Sequence, residues 1–286
     1  MTNSPLRYPG GKSCLYDLVA DTIRLNNLER QEYAEPFAGG CGLALSLLYS
    51  GVVSEIHIND IDPAIWSFWD AVLNETEDLV SLIEKTPVTL KQWQCQKSIF
   101  KNSNSKGLTL GFAAFFLNRT NRSGIINKAG VIGGLSQDGK YKIDCRFNKE
   151  ELIRRIRRIA KYQSRIHLTN MNALDFLKNK DGDLPSSAFV CIDPPYFKKG
   201  SSLYTSFYRP DDHAILSDAD DSLENPWIVT YDDTEEIREI YSAHKQFRFS
   251  INYSVQTKRV GTELLIAPKR VKIPKMWKQQ QLRQMV

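Results

Sequence analysis

Phe189-Val190-Cys191-Ile192-Asp193-Pro194-Pro195-Tyr196 is an apolar run that ends in a carboxylate, two prolines and an aromatic ring. Its first four residues read as a buried strand. In open α/β folds, ligands bind beyond the carboxyl ends of such strands. Asp193 supplies an acceptor there. Pro194 fixes the turn and turns its carbonyl outward as a second acceptor. Tyr196 adds a ring. Two acceptors beside a stacking ring suit a planar base that carries an exocyclic amine.

The flanking sequence repeats a strand–helix pattern. Leu15, Leu18, Val19 and Ile23 fall at helical spacing. Tyr33 to Phe37 reads as a strand that runs into a glycine loop, and Leu43 to Leu48 starts a helix that Gly51 can stop. Ile56-His57-Ile58 alternates as a strand, and Pro63 suits the first turn of a helix reaching about Leu73. This β-α-β-α order is the start of a doubly wound α/β sheet. It breaks after Asn74. Residues 76–165 read as mainly helical, with a Gly/Asn/Ser-rich loop from Asn118 to Gly139. The pattern resumes at Ile166 and continues through Phe189–Ile192 and Trp227–Tyr231. It closes with an antiparallel hairpin, Arg248–Tyr253 and Thr262–Ala267.

Charge divides the chain along the same boundaries. The 286 residues carry a net charge of +5, yet Thr76 to Arg165 holds 18 Lys+Arg against 7 Asp+Glu, and the remainder holds 20 against 26. A basic segment set into an acidic scaffold points to a polyanion partner. The stretch from Pro268 adds six Lys/Arg and no acid. It reads as a tail that touches a polyanion or simply stays solvated. The longest apolar stretch, roughly Leu110 to Leu117, falls far short of the ~20 residues that span a bilayer. The N-terminus lacks a signal-peptide pattern. Five scattered cysteines with no Cys-x-x-Cys argue against a zinc site or a disulfide framework, so a cytoplasmic protein is expected.

Two loops carry further chemistry. In Glu35-Pro36-Phe37-Ala38-Gly39-Gly40-Cys41-Gly42, glycines let a ligand approach the backbone and a helix N-terminus. Asp60 ends the next strand, where an acid can hold ribose hydroxyls. Together they indicate an adenosine-containing cofactor, either a dinucleotide or S-adenosylmethionine. Leu45 stands where the dinucleotide fingerprint wants its third glycine, which disfavours NAD. Gly11-Lys12-Ser13 imitates the end of a phosphate-binding P-loop. Leu6 occupies the place of that loop's first glycine, and no strand fits before it. Lys12 is better read as holding a carboxylate, with Tyr8 covering an adenine.

These segments, with Arg7-Tyr8-Pro9-Gly10-Gly11-Lys12, Asn59-Asp60-Ile61-Asp62 and Asn118-Arg119-Thr120-Asn121-Arg122-Ser123-Gly124, occur in an order that resembles the Dam-type adenine-specific DNA methyltransferases. Thr230-Tyr231-Asp232-Asp233 and Glu263-Leu264-Leu265-Ile266 resemble that family's later strands. The resemblance implies a Rossmann-like methyltransferase sheet over residues 1–75 and 166–267, a mainly helical target-recognition domain inserted at 76–165, and a basic tail at 268–286. It implies that Tyr8, Gly10, Gly11, Lys12, Asp60, Asp193 and the Glu35 to Gly42 loop bind S-adenosylmethionine, with Asp175-Phe176 bordering its adenine. Asp193, Pro194, Pro195 and Tyr196 would receive the target adenine, flipped out of double-stranded DNA. Asn118, Arg119, Arg122, Asn127 and Lys128 would meet DNA. No metal is expected. A monomer is expected, with a restriction nuclease as its partner in the cell. Two rivals remain: methylation of an RNA base or protein amide, where Asn usually replaces Asp193, and a silent recognition subunit on the same fold.

Overall fold

A computed structural model describes residues 3–8, 10–102, 104–178, 184–198, 208–253 and 259–275. Pro9 and residues 276–286 of the expected basic tail lie outside the described residues. Seven strands form one sheet: β1 Tyr33–Glu35, β2 Ile56–Asn59, β3 Ile166–Thr169, β4 Phe189–Ile192, β5 Trp227–Asp232, β6 Lys245–Tyr253 and β7 Arg259–Ala267. Their spatial order is β3-β2-β1-β4-β5-β7-β6. The first five are mutually parallel, and β7 runs antiparallel to both β5 and β6. The expected doubly wound sheet with a C-terminal hairpin is therefore present. Strand order reverses between β1 and β4, which opens a crevice at their carboxyl ends.

Period-2 alternation assigns each strand residue to a face. Phe189, Cys191, Ile228 and Leu265 join one hydrophobic cluster, while Val190, Ile192, Trp227, Val229, Leu264 and Ile266 join the other. The first face is covered by α1 Tyr16–Leu25, α2 Gly42–Tyr49 and α3 Pro63–Asn74. The second lies under α8 Ala173–Leu177, α9 Pro210–Asp221 and α10 Glu235–Ile240. The start of α3 follows from its sequence: Pro63 sits in the first turn, and the Asp62 carboxylate accepts from the Ala64 N–H at 2.8 Å.

Residues 76–165 form α4 Thr76–Lys85, α5 Leu90–Lys101, α6 Gly107–Thr120 and α7 Lys149–Ala160. Their apolar residues merge into the cluster on the first face of the sheet. The apolar run near Leu110 to Leu117 is the buried length of α6, and its Phe115 ring stacks on Phe68 of α3 at 5.4 Å. In α7, Leu152, Ile153, Ile156 and Ile159 face inward. The expected tail needs correction over Pro268 to Lys275. Val271 and Ile273 are buried, Asn26 bonds both backbone groups of Lys272, and Arg270 donates to the Leu223 and Asn225 carbonyls. Two apolar anchors in this basic stretch dock it on the core. Among the described residues no helix is long and apolar enough to cross a membrane.

The α3–α6 crossing depends on Gly111. A Cβ there would meet the Ser67 carbonyl oxygen at 2.5 Å and Phe68 N at 2.8 Å, both backbone atoms that cannot rotate away. Gly111→Ala is expected to force the helices apart and lower stability by about 1–3 kcal/mol. Urea denaturation of the two proteins checks this; an unchanged midpoint would refute the tight crossing.

Candidate active site

The crevice between β1 and β4 is lined by Tyr8, Gly11, Lys12, Glu35, Phe37, Ala38, Gly39, Gly40, Gly42, Asp60, Asp193 and Pro195. Its cavity holds about 90 Å³ and opens to solvent. Segments separated by well over a hundred residues meet here because each follows the carboxyl end of a neighbouring strand or packs against one.

The N-terminal loop is seated by backbone contact. Tyr8 lies so close over Gly39 and Gly40 that a Cβ at either would come within 2.8 Å of Tyr8 atoms. At Gly42 a Cβ would meet Ser13 Oγ at 2.3 Å. The glycines therefore admit the chain's own first loop as well as a ligand. Glu35 is buried, and its Oε1 accepts from Tyr33 Oη at 2.9 Å and from the Ala44 N–H of α2 at 3.1 Å. Burial lifts its pKa to about 8. Asp60 accepts from the Gly39 N–H on one oxygen and the Asp62 N–H on the other, both at 2.9 Å. Burial raises it to about 7 against the pull of those amides.

Lys12 is the centre of a buried ionic group. Its ammonium lies 2.9 Å from Asp193 Oδ1, 3.4 Å from Glu263 Oε2 and 3.4 Å from Tyr196 Oη, and it donates to the Gly10 carbonyl at 2.9 Å. Thr230 Oγ1 donates to the same Asp193 Oδ1 at 2.8 Å. Both contacts fall on Oδ1, which leaves Oδ2 of Asp193 to accept from a ligand. Burial raises the Asp193 pKa, and the Lys12 charge opposes that rise. Asp232 accepts from the Phe197 and Lys198 N–H groups and fixes the turn beyond Tyr196.

Several expected residues lie elsewhere. Tyr196 was expected to present an open ring. It is 4 % exposed, because its hydroxyl donates to Glu263 Oε1 at 2.5 Å inside the fold. Pro194 is buried beside it, and the Pro36 carbonyl accepts from Asn59. Asp175 and Phe176 do not line the crevice; Phe176 packs into the cluster on the second face. Asn118 is fully buried and cannot touch DNA. Its amide accepts from the Arg7 N–H at 2.7 Å and donates to the Arg7 and Gly124 carbonyls. Arg119 donates to the Arg146 and Pro5 carbonyls, whereas Arg122, Asn127 and Lys128 are exposed. Sequence reasoning missed Thr230 and Glu263 as site residues, and Ile61, Asp62, Leu43, Cys191 and Tyr208 in the wall. Ile61 was detectable, being an apolar residue next to the strand-ending Asp60 and 45 % exposed.

The donor set fits S-adenosylmethionine. Four carboxylates, Glu35, Asp60, Asp62 and Asp193, face the crevice with one lysine, a balance suited to a ligand with a sulfonium and an ammonium. Phe37, Tyr208 and Ile61 supply apolar surface for an adenine.

The family match agrees with this reading. The D12 class N6 adenine-specific DNA methyltransferase family matches residues 8–259. The Type II methyltransferase M.MjaIII of Methanocaldococcus jannaschii is 26% identical over 231 residues, which covers 73% of this chain and 76% of the relative. Among solved structures, the rRNA methyltransferase aviRa from Streptomyces viridochromogenes aligns with a TM-score of 0.38 and 14% identity, over 87% of this chain and 83% of that one. Protein LPL1258 from Legionella pneumophila aligns with a TM-score of 0.32 and 13% identity, over 94% and 91%. With its Asp193-Pro194-Pro195-Tyr196 strand end and its acid-lined crevice inside the matched span, the chain belongs to the D12 class N6 adenine-specific DNA methyltransferases, which methylate adenine in DNA with S-adenosylmethionine.

Proposed function

We propose that methyl transfer takes place at Asp193, on an adenine flipped out of duplex DNA into the crevice between β1 and β4. The observation that carries this reading is the loading of Asp193: Lys12 and Thr230 both bind Oδ1, so Oδ2 remains an acceptor at the mouth of an acid-lined cleft. S-adenosylmethionine supplies the electrophilic methyl when bound. Glu35 and Asp60 hold its cationic and hydroxyl groups, and Tyr8, Phe37 and Ile61 enclose its adenine. The target amine is a poor nucleophile because its lone pair is delocalised into the ring. Hydrogen bonds from its two N–H groups to Asp193 Oδ2 and the Pro194 carbonyl favour the pyramidal, reactive nitrogen, and they strengthen as positive charge develops there. The raised basicity of Asp193 suits it to take the proton that nitrogen then sheds. The amine is out of reach inside a duplex, so the base must leave the stack.

Residues 76–165 act as the target-recognition part, continuous with the core through the α3–α6 contact. Exposed Arg122, Asn127 and Lys128 are its DNA contacts. Burial, with the charge of Arg146, lowers the pKa of Arg7, and burial, with the charges of Arg7 and Arg146, lowers that of Arg119. None has a carboxylate partner among the described residues, an arrangement suited to phosphate. The relative named a Type II methyltransferase supports a modification role beside a restriction nuclease. A crevice built by one chain supports a monomer, and a DNA substrate supports a cytoplasmic location.

Four measurements test this reading. Incubation with labelled S-adenosylmethionine and unmethylated DNA should yield labelled N6-methyladenine. Asp193→Ala should lower kcat by at least about 10²-fold while DNA binding persists, because Lys12 keeps Glu263 as its counter-charge; wild-type turnover would remove Asp193 from the chemistry. Glu35 has a folded pKa of about 8, above its unfolded value, so its stabilising contribution is complete below about pH 4 and is lost as pH rises through 8. Glu35→Gln should therefore melt higher than wild type at pH 9 without cofactor, yet bind cofactor at least about tenfold more weakly. Equal affinity in isothermal titration would move the cation site elsewhere. Arg122→Ala and Lys128→Ala should each reduce the slope of log affinity against log salt by about 1. Unchanged slopes for both would shift the DNA face.

A further inference from the structure

Glu263 lies in the middle of β7, opposite Asp232 of β5 and Phe249 of β6, and is fully buried. Nothing in its own strand calls for a carboxylate: Leu264, Leu265, Ile266 and Ala267 follow it as buried apolar residues. A buried charge on a central strand is costly unless it is paired and hydrogen-bonded. Here one oxygen accepts from the Tyr196 hydroxyl and the other faces the Lys12 ammonium. The carboxylate thus joins the N-terminal loop, the end of the catalytic strand and the C-terminal hairpin.

Its effect on Asp193 follows from sharing. Lys12 sits between two carboxylates, 2.9 Å from Asp193 and 3.4 Å from Glu263. With Glu263 present, the ammonium is only partly committed to Asp193, and Asp193 keeps more of its charge for an amine. The groups that face Glu263 include Lys12 and Cys14 from the N-terminal segment and Asp193 and Tyr196 from the catalytic strand end. Of these, Lys12 lowers the Asp193 pKa, and Glu263 raises it.

We infer that Glu263 is a positioning residue of methyl transfer: it holds the Tyr196 hydroxyl and divides the Lys12 ammonium with Asp193, keeping Asp193 oriented and basic as the acceptor for the target amine. The inference rests on the reading of Asp193 as the acceptor. Glu263 itself is not part of the crevice wall.

The test compares wild type, Glu263→Gln, Tyr196→Phe and Asp193→Ala in steady-state methylation of DNA across pH. Glu263→Gln preserves shape and one acceptor oxygen, which can still take the Tyr196 hydroxyl, but removes the charge and the second acceptor that faces Lys12. It is expected to leave the KM for S-adenosylmethionine within about threefold and lower kcat about tenfold, the scale of one weakened charge-assisted contact. The acid limb of the kcat profile should move to lower pH, because Asp193 loses the neighbour that raises its pKa. A purely structural role would lower the melting temperature and leave that limb in place. A wild-type kcat with an unmoved acid limb would overturn the inference. If Glu263→Gln fails to fold, Tyr196→Phe decides: it deletes only the hydroxyl that Glu263 holds, and an unchanged kcat would count against the positioning role. An active Asp193→Ala would instead overturn the assignment of the site.

Discussion

The burial of one ammonium organises this molecule. Lys12 is 6 % exposed and has two carboxylates within 3.4 Å. Removing one partner of such a buried group typically costs about 3–5 kcal/mol, since the remaining charge has no water to turn to. A hydrophobic replacement of the whole set would be no less stable, so stability alone does not account for it. The group instead fixes relative positions. The N-terminal loop cannot drift from the end of β4, nor β4 from β7, without exposing an uncompensated charge to the interior.

Around this centre the motifs hold one another. Asn118 uses its whole amide on the backbone of Arg7 and Gly124. Gly124 has a φ of 76°, and a Cβ there would overlap the Arg7 carbonyl oxygen at 2.0 Å. Asn121 accepts from the Trp93 indole and donates to the Ile125 and Ile126 carbonyls. The segment Asn118 to Gly124 therefore belongs to the architecture of the cofactor crevice, although it lies within the basic insertion. Tyr8 in turn lies on Gly39 and Gly40. The DNA contact proposed at Arg122 is thus only a few residues from the atoms that seat the N-terminal loop.

The sheet was legible because most of its strands are short apolar runs ended by Asp, Asn or Pro, and some helix starts, such as Asp62-Pro63 before α3, carried a visible cap and proline. The glycine loop was legible because glycines beside a strand end mark a close backbone approach, here that of Tyr8. Side-chain partnerships were not legible. Asn118 and Arg122 look alike in a polar, basic stretch, and only the fold sends one inward and the other to solvent. Glu263 stood in plain view before an apolar run, but alternation on a half-buried hairpin gives an acid an outward position as readily as an inward one. Tyr196 looked open because a strand end usually is. Its closure comes from Glu263, 67 residues further on. The docking of Val271 and Ile273 was hidden by the lysines around them.

The crevice is where local consistency fails, and the failure has a direction. Glu35 and Asp60 are acids in surroundings that favour their neutral forms, with pKa values near 8 and 7. Two hydrophobic residues there would give a more stable fold. A cationic ligand reverses the balance: its charge favours ionised carboxylates, and the proton each has kept is released. Binding then stabilises the folded chain by mass action, and the free energy withheld from the cofactor-free protein reappears as affinity. Asp193 differs from these two in having Lys12 beside it from the outset. It is held as an acceptor before any ligand arrives, as a group must be if it is to meet a poor nucleophile without reorganising.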